Sequence, residues 1–249
     1  MAAFPYQLDD DEPKTLGLIV LQPDERIESD FRRLMPDDIR LFASRVPSAP
    51  EVSSSTLAEM EDHLSAAAGL LPRGPNFDVV GYGCTSGTAE IGAPNIAKRV
   101  REGVETDAVT EPMSALVAAC RALNITRLGF LSPYVEPVSE KLRSVLQDHD
   151  ISTPSFGTFA EPIEGKVARI LETSTLEAAW QLAQKGGIDA MFLSCTNLRT
   201  LSIIEPLERE LEIPVLSSNQ VLAWHMLGLA GLAPSDRALG RIFSTIPVA

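Results

Sequence analysis

Short apolar runs alternate with stretches of helical spacing along almost the whole chain, and the alternation occurs twice. Leu16-Gly17-Leu18-Ile19 and Leu128-Gly129-Phe130-Leu131, 112 residues apart, are both short enough and apolar enough for a buried parallel strand. After the first, Ile27, Phe31 and Leu34 fall at helical spacing and Pro36 stops the pattern; after the second, Val138, Leu142, Val145 and Leu146 do the same up to His149-Asp150. A second strand is expected in each half, at Ile39 to Phe42 and at roughly Ile151 to Phe159. Longer helices follow. Thr56-Leu57-Ala58-Glu59 and Ser174-Thr175-Leu176-Glu177 fit the capping box that opens a helix. Leu57, Met60, Leu64 and Leu71 line the first of these helices, and Leu176, Trp180 and Ala183 the second. A third strand follows at Val79-Val80 and at Met191 to Leu193, and a fourth near Val104 and at Pro214-Val215-Leu216. Closing helices begin near Thr110 and Asn219.

This order predicts an α/β fold of two similar lobes, each a roughly four-stranded parallel sheet flanked by helices. The expected division is an acidic tail over 1–14, an N-terminal lobe over 15–120 and a C-terminal lobe over 121–249, with the closing helices free to pack on the other lobe. No Gly/Ser-rich linker separates the lobes, so close packing is expected rather than a tether.

The third strands end alike. Asp78-Val79-Val80-Gly81-Tyr82-Gly83-Cys84-Thr85 matches Asp189-Ala190-Met191-Phe192-Leu193-Ser194-Cys195-Thr196 at an offset of 111 residues. Ligands of parallel sheets bind beyond the carboxyl ends of the strands, which places both thiols at one cleft. Cys84-Thr85-Ser86-Gly87-Thr88 and Cys195-Thr196-Asn197 are polar turns rich in hydroxyls and N–H groups, suited to a carboxylate and expected to lower a thiol pKa. Metal binding would want further Cys or His at short spacing, and a Cys-His hydrolase would want a partnered histidine. The chain offers neither, and His63, His149 and His225 read as structural. Cys120 shares a helical stripe with Met113, Leu116 and Leu123 and reads as a packed small hydrophobe. The use left for the facing thiols is acid–base or nucleophilic chemistry on the two sides of one carbon. Without a Walker loop or a GxGxxG after a strand, no nucleotide, metal or organic cofactor is expected.

Charge and cysteine count narrow the setting. The 249 residues carry a net charge of −13, so nucleic acid is not an expected partner and an anionic substrate must be held by local donors. No apolar run approaches a membrane span, no secretory signal opens the chain, and the odd number of three cysteines fits a reducing cytoplasm. A symmetric homodimer is the expected assembly.

Gly83-Cys84-Thr85-Ser86-Gly87-Thr88, Leu193-Ser194-Cys195-Thr196-Asn197-Leu198 and Pro214-Val215-Leu216-Ser217-Ser218-Asn219 resemble the aspartate/glutamate racemase superfamily, in its maleate cis-trans isomerase and arylmalonate decarboxylase branch. Leu16 to Val20 and Leu131-Ser132-Pro133-Tyr134 point the same way, and Phe192 to Thr200 with Ser217 to His225 are similar to the ectoine-utilisation A subgroup. The resemblance runs from about Thr15 to Ala233. It implies a cofactor-independent isomerase or racemase acting on a small carboxylate between two pseudo-symmetric lobes. Cys84 would be nucleophile or first acid/base, and Cys195 its partner on the opposite face. Thr85, Ser86 and Tyr134 would hold substrate on one side and Thr196 and Asn197 on the other, with Gln22 and Asp24 at the position after the first strand. Maleate isomerases carry Pro-Ser-Ser-Asn after the first strand, where this chain has Leu21-Gln22-Pro23-Asp24; the Glu161-Pro162-Ile163-Glu164 loop also lacks their Asn. Both departures favour a zwitterionic or cationic substrate, such as an amino acid derivative of ectoine breakdown, over maleate. Arylmalonate decarboxylases keep only the second cysteine, so a pair favours isomerase or racemase. A decarboxylase or hydrolytic enzyme using one cysteine, a non-catalytic ligand-binding or regulatory protein on the same fold, and a redox sensor are the competing readings.

Overall fold

Thr15–Leu21 is buried along its whole length, as a strand flanked by neighbours and covered on both faces must be. It is β1 of a parallel sheet with β2 (Arg40–Val46), β3 (Phe77–Gly83) and β4 (Thr106–Thr110), in the spatial order β2-β1-β3-β4. The second sheet repeats the plan with β5 (Arg127–Ser132), β6 (Ser152–Thr158), β7 (Ala190–Leu193) and β8 (Val215–Ser217), in the order β6-β5-β7-β8. This computed structural model describes residues 1, 3–8 and 13–245, and the acidic run Asp9 to Glu12 lies outside them.

The first lobe's crossovers are α1 (Ile27–Leu34), α2 (Ser54–Glu59), α3 (Glu61–Ala68), α4 (Thr85–Ile91) and α5 (Ala93–Gly103). α6 (Pro112–Ala122) leads into the second sheet, whose helices are α7 (Glu136–Gln147), α8 (Glu164–Val167), α9 (Glu172–Ala183), α10 (Leu201–Leu211) and α11 (Ser218–Leu229). α11 is buried on nearly every side and packs on α6, α1 and β3. It lies so close to β3 that a β-carbon on Gly81 would stand 2.5 Å from Met226 Sδ. Apolar side chains of β1 and α1 share one core with those of β7, α10 and α11.

Several boundaries differ from the sequence pattern. Ser53, not Thr56, caps α2: its hydroxyl accepts the Thr56 N–H while the Thr56 hydroxyl accepts the Ser53 N–H. Thr56 therefore fills the third place of the box. α9 starts at Glu172 with no side-chain cap, and buries Thr175, Ala179 and Leu182 while Trp180 is exposed. The long helix expected from Thr56 is broken at Met60, and Leu71 lies beyond it. β2 begins one residue later and runs further than expected, and β4 lies past Val104, which ends α5. Mixed polarity in Thr106-Asp107-Ala108-Val109-Thr110 hides that strand from a periodicity reading. His63 and His149 are exposed, and Cys120 is buried among apolar side chains of α6, β5 and β7, as the pattern implies.

At the end of α5 the contact with α3 reaches the main chain. A β-carbon on Gly103 would stand 2.2 Å from the Ser65 carbonyl oxygen and 2.8 Å from the Ala68 β-carbon. Gly103→Ala is expected to lower the unfolding free energy by about 1–3 kcal/mol, as overpacking does. The measurement is the urea midpoint at unchanged slope, and a midpoint equal to wild type would show that the helices separate without cost.

Candidate active site

The chain order within each sheet reverses direction between its two central strands, β1/β3 and β5/β7, and such a reversal opens a crevice beyond their carboxyl ends. Gln22 to Asp24 follow β1 and Cys84 follows β3; Pro133-Tyr134 follow β5 and Cys195 follows β7. Both cysteines are free and buried, 3% and 2% exposed.

Cys84 is the N-cap of α4, and its Sγ accepts the Gly87 N–H at 3.2 Å. The Ser86 hydroxyl lies 3.9 Å from the sulfur, and the Tyr82 hydroxyl also reaches it. Tyr82, on β3, lies two residues before Cys84, whose backbone is still extended, so both side chains turn to one face. The Tyr82 hydroxyl donates on to Met60 Sδ at 3.7 Å. Gly87 is required by closeness: a β-carbon there would be 2.6 Å from the Tyr82 oxygen and 2.9 Å from Cys84 Sγ.

Cys195 takes a backbone φ of 108°, a region that side chains other than glycine rarely adopt. Its Sγ accepts the Asn197 N–H at 3.2 Å and lies 2.9 Å from the Tyr134 hydroxyl. The Tyr134 hydroxyl in turn donates to Glu164 Oε2 at 2.8 Å, and Asn197 Nδ2 donates to Glu164 Oε1 at 3.0 Å. The Asn197 amide has one orientation, because its Oδ1 accepts the Glu25 N–H at 2.8 Å.

Side chains from the first lobe and α11 hold the two turns together. Ser218 Oγ accepts both the Cys195 N–H at 2.9 Å and the Thr85 hydroxyl at 2.8 Å. Thr196 donates to Asp24 Oδ2 at 2.9 Å, while Asp24 Oδ1 accepts the N–H groups of Arg26 and Ile27 at 2.8 Å each. Asn219 Nδ2 bridges Asp30 Oδ2 and the Thr196 carbonyl, both at 2.7 Å. Above these turns the β2–α2 and β6–α8 loops clasp: Glu51 and Ile163 form an antiparallel bridge, Val52 N–H donates to Pro162 O, and Glu164 N–H donates to Pro50 O.

Burial governs the ionisation of the group. It pushes the Cys84 thiol up to about 12 against the pull of the Gly87 N–H, and it raises Cys195 well above the ordinary thiol value with Glu164 and Asp24 adding repulsion. The expected lowering by turn donors is thus present but outweighed: both cysteines rest as thiols. Burial raises the Glu164 carboxyl to about 7 despite its two donors, Asp30 to about 6, and Asp24 in the same direction.

Of the residues singled out from the sequence, Cys84, Cys195, Thr85, Ser86, Tyr134, Thr196, Asn197 and Asp24 come together here. Gln22 does not; its side chain is exposed. The hydroxyls of Thr85 and Thr196 and the side chains of Tyr134 and Asn197 are engaged with Ser218, Asp24 and Glu164. Donors open to an anion include the Ser86 hydroxyl and the N–H groups of Thr85 and Ser86 at the start of α4, which a helix leaves without internal acceptors; the Gly87 N–H is already given to Cys84 Sγ. The sequence pattern does not single out Tyr82, Ser218 or Asn219 as site residues, and it brings in Glu164 only through its loop, without its contacts to Tyr134 and Asn197. Period-two spacing before Cys84 was the signal for Tyr82, and the polar run Ser217-Ser218-Asn219 after a strand was the signal for Ser218 and Asn219.

The family described as arylmalonate decarboxylase matches residues 16–243. The arylmalonate decarboxylase of Bordetella bronchiseptica is 28% identical over 244 residues, covering 92% of this chain and 96% of its own. The maleate isomerase of Nocardia farcinica is 27% identical over 148 residues, 59% of each chain. The fold matches that of the Pseudomonas putida S16 maleate isomerase solved with maleate, at a TM-score of 0.82 and 20% identity, over 96% of this chain and 100% of that one. It also matches the Nocardia farcinica maleate isomerase carrying a covalently bound succinylcysteine intermediate, at a TM-score of 0.78 and 23% identity, over 93% and 98% of the two chains.

Proposed function

The chain belongs to the arylmalonate decarboxylase family, and from that premise we propose that it is a cofactor-independent isomerase or racemase of a small carboxylate, working through Cys84 and Cys195. The observation that carries this reading is the pair itself: one buried thiol beyond each of the matching central strands β3 and β7, joined through Thr85, Ser218 and the Cys195 main chain. One sulfur attacks or deprotonates the substrate carbon while the other returns a proton from the opposite side. The covalent succinylcysteine of the Nocardia relative supports an attack of this kind.

The substrate carboxylate is assigned to the Ser86 hydroxyl and the first turn of α4. The opposite end of the substrate then meets Glu164 and Asp24, which favours a zwitterion or a group that donates hydrogen bonds over a second carboxylate. An amino acid derivative has this polarity, and the resemblance to ectoine-utilisation proteins makes derivatives of that breakdown the first compounds to assay.

A decarboxylase is the second reading, favoured by the relative that aligns along 92% of this chain. Incubation with candidate substrates in deuterated water separates the two. Deuterium at the α-carbon or a changed double-bond geometry, with no carbon dioxide, is the expected result; carbon dioxide release without exchange in recovered substrate would assign the decarboxylase instead.

A further inference from the structure

The surroundings of the two thiols differ in one respect that their symmetric placement hides. Each sulfur meets a tyrosine hydroxyl. At Cys84 the chain of contacts ends on a thioether, since Tyr82 donates to Met60 Sδ. At Cys195 it ends on a carboxylate, since Tyr134 donates to Glu164 Oε2 at 2.8 Å. A phenol has one proton. With that proton on Glu164, the Tyr134 oxygen presents only lone pairs to Cys195 Sγ at 2.9 Å, so the thiol is the donor of that contact.

We propose that Glu164 is a positioning residue that accepts the Cys195 proton through Tyr134. The proton on Sγ moves to the Tyr134 oxygen as the hydroxyl proton moves to Glu164 Oε2. The products are a thiolate, an unchanged tyrosine and a neutral carboxylic acid, and the reverse step restores the thiol. No water and no outside base takes part, which suits a sulfur this buried. The geometry is fixed from both ends: Asn197 donates to the thiol through its main chain and to Glu164 Oε1 through its amide, and Glu25 N–H sets that amide's orientation. The loop clasp seats Glu164 by its N–H on Pro50 O. The titratable groups facing Glu164 are Tyr134 and Cys195, Asp24 from the β1–α1 loop and Cys84 from the end of β3. Asp24 raises Glu164 further, toward the neutral acid, and so favours the state that follows transfer.

The inference rests on the assignment of Cys195 to the reaction, and its tests need no substrate, so the two can fail separately. In protein carrying Cys84→Ser and Cys120→Ser, alkylation of Cys195 by iodoacetamide is followed by mass spectrometry against pH. The rate should climb to about pH 7 and then level, because above the Glu164 ionisation the coupled pair loses no further proton. Adding Glu164→Gln should remove the levelling, leaving about a tenfold rise per pH unit over the same range. The infrared S–H band of Cys195, identified by difference from Cys195→Ser, should shift as Glu164 titrates. It should move to the position of an unbonded thiol in Tyr134→Phe. A Glu164→Gln alkylation profile that superposes on its parent, or a band indifferent both to pH and to Tyr134→Phe, would overturn the relay.

Discussion

Serine in place of Cys84 is expected to cut turnover by about 10²–10⁴-fold, the usual contribution of a positioned acid or base. The fold should survive, because the serine oxygen can still accept the Gly87 N–H that now bonds the sulfur. What is lost is chemistry: a hydroxyl is a weaker acid than a thiol and a poorer nucleophile at the same position. Cys195→Ser should fall as far. The two losses should not multiply in the double variant, since each sulfur serves one half of a single transfer and groups acting as a unit are strongly non-additive. Cys120→Ala is the control and should leave turnover near wild type, as Cys120 lies in apolar packing away from the site. Rates measured with a substrate found by the exchange assay would decide it. A Cys84→Ser rate near wild type with Cys195→Ser inactive would reassign the protein to one-cysteine chemistry.

The second large effect is on stability. Glu164 titrates at about 7 in the folded protein against an ordinary 4.5, and Asp30 at about 6 against 3.8. Both bind a proton more tightly when folded. Their contribution is therefore full below the unfolded values and is lost as pH rises through 6 and 7. The chain should accordingly become more stable as pH falls from about 8 to about 6.5, with Glu164 supplying on the order of 1 kcal/mol of the gain. His225 acts in the opposite sense at lower pH. Burial lowers it to about 4, so its contribution, full above 6.5, is lost progressively as pH falls from 6.5 to 4. Glu164→Gln should flatten the rise and make the protein more stable than wild type at about pH 8, by on the order of 3 kcal/mol at most. The glutamine fits the existing contacts: its oxygen takes the Asn197 amide, and its NH₂ donates to Tyr134, whose hydroxyl then turns to Cys195. Urea unfolding at the two pH values is the measurement. A wild-type midpoint that falls on acidification over this window would show that Glu164 is charged and stabilised in the folded state.

Much of this architecture can be read from the sequence because it is written twice. The central strands β1, β3, β5 and β7 are nearly continuous apolar runs, and a buried parallel strand leaves no other signature. The edge strands β2 and β4 mix polar and apolar residues, so the pattern does not mark where they begin and end. At α2 the pattern selects the wrong cap: Thr56-x-x-Glu59 fits the usual box, whereas Ser53 caps the helix with a threonine, not an acid, at the third place. In the site, the cysteines and their turns stood out by repetition. Glu164 did not, for it lies on a short helix after an edge strand, and nothing local reveals that Tyr134 and Asn197, 30 and 33 residues away, will close on it. Gln22 lies two residues from Asp24 in the same loop, yet it is exposed while Asp24 is buried and bonded to Thr196, a difference that nothing in the local sequence marks.

The Glu51–Ile163 bridge and the bonds of Val52 N–H to Pro162 O and Glu164 N–H to Pro50 O tie the seat of Glu164 to the loop after β2, in the other lobe. Any substitution that loosens the loop after β2 is therefore expected to disturb the contacts of Glu164 with Tyr134 and Asn197 as well, although the two lie far apart in sequence.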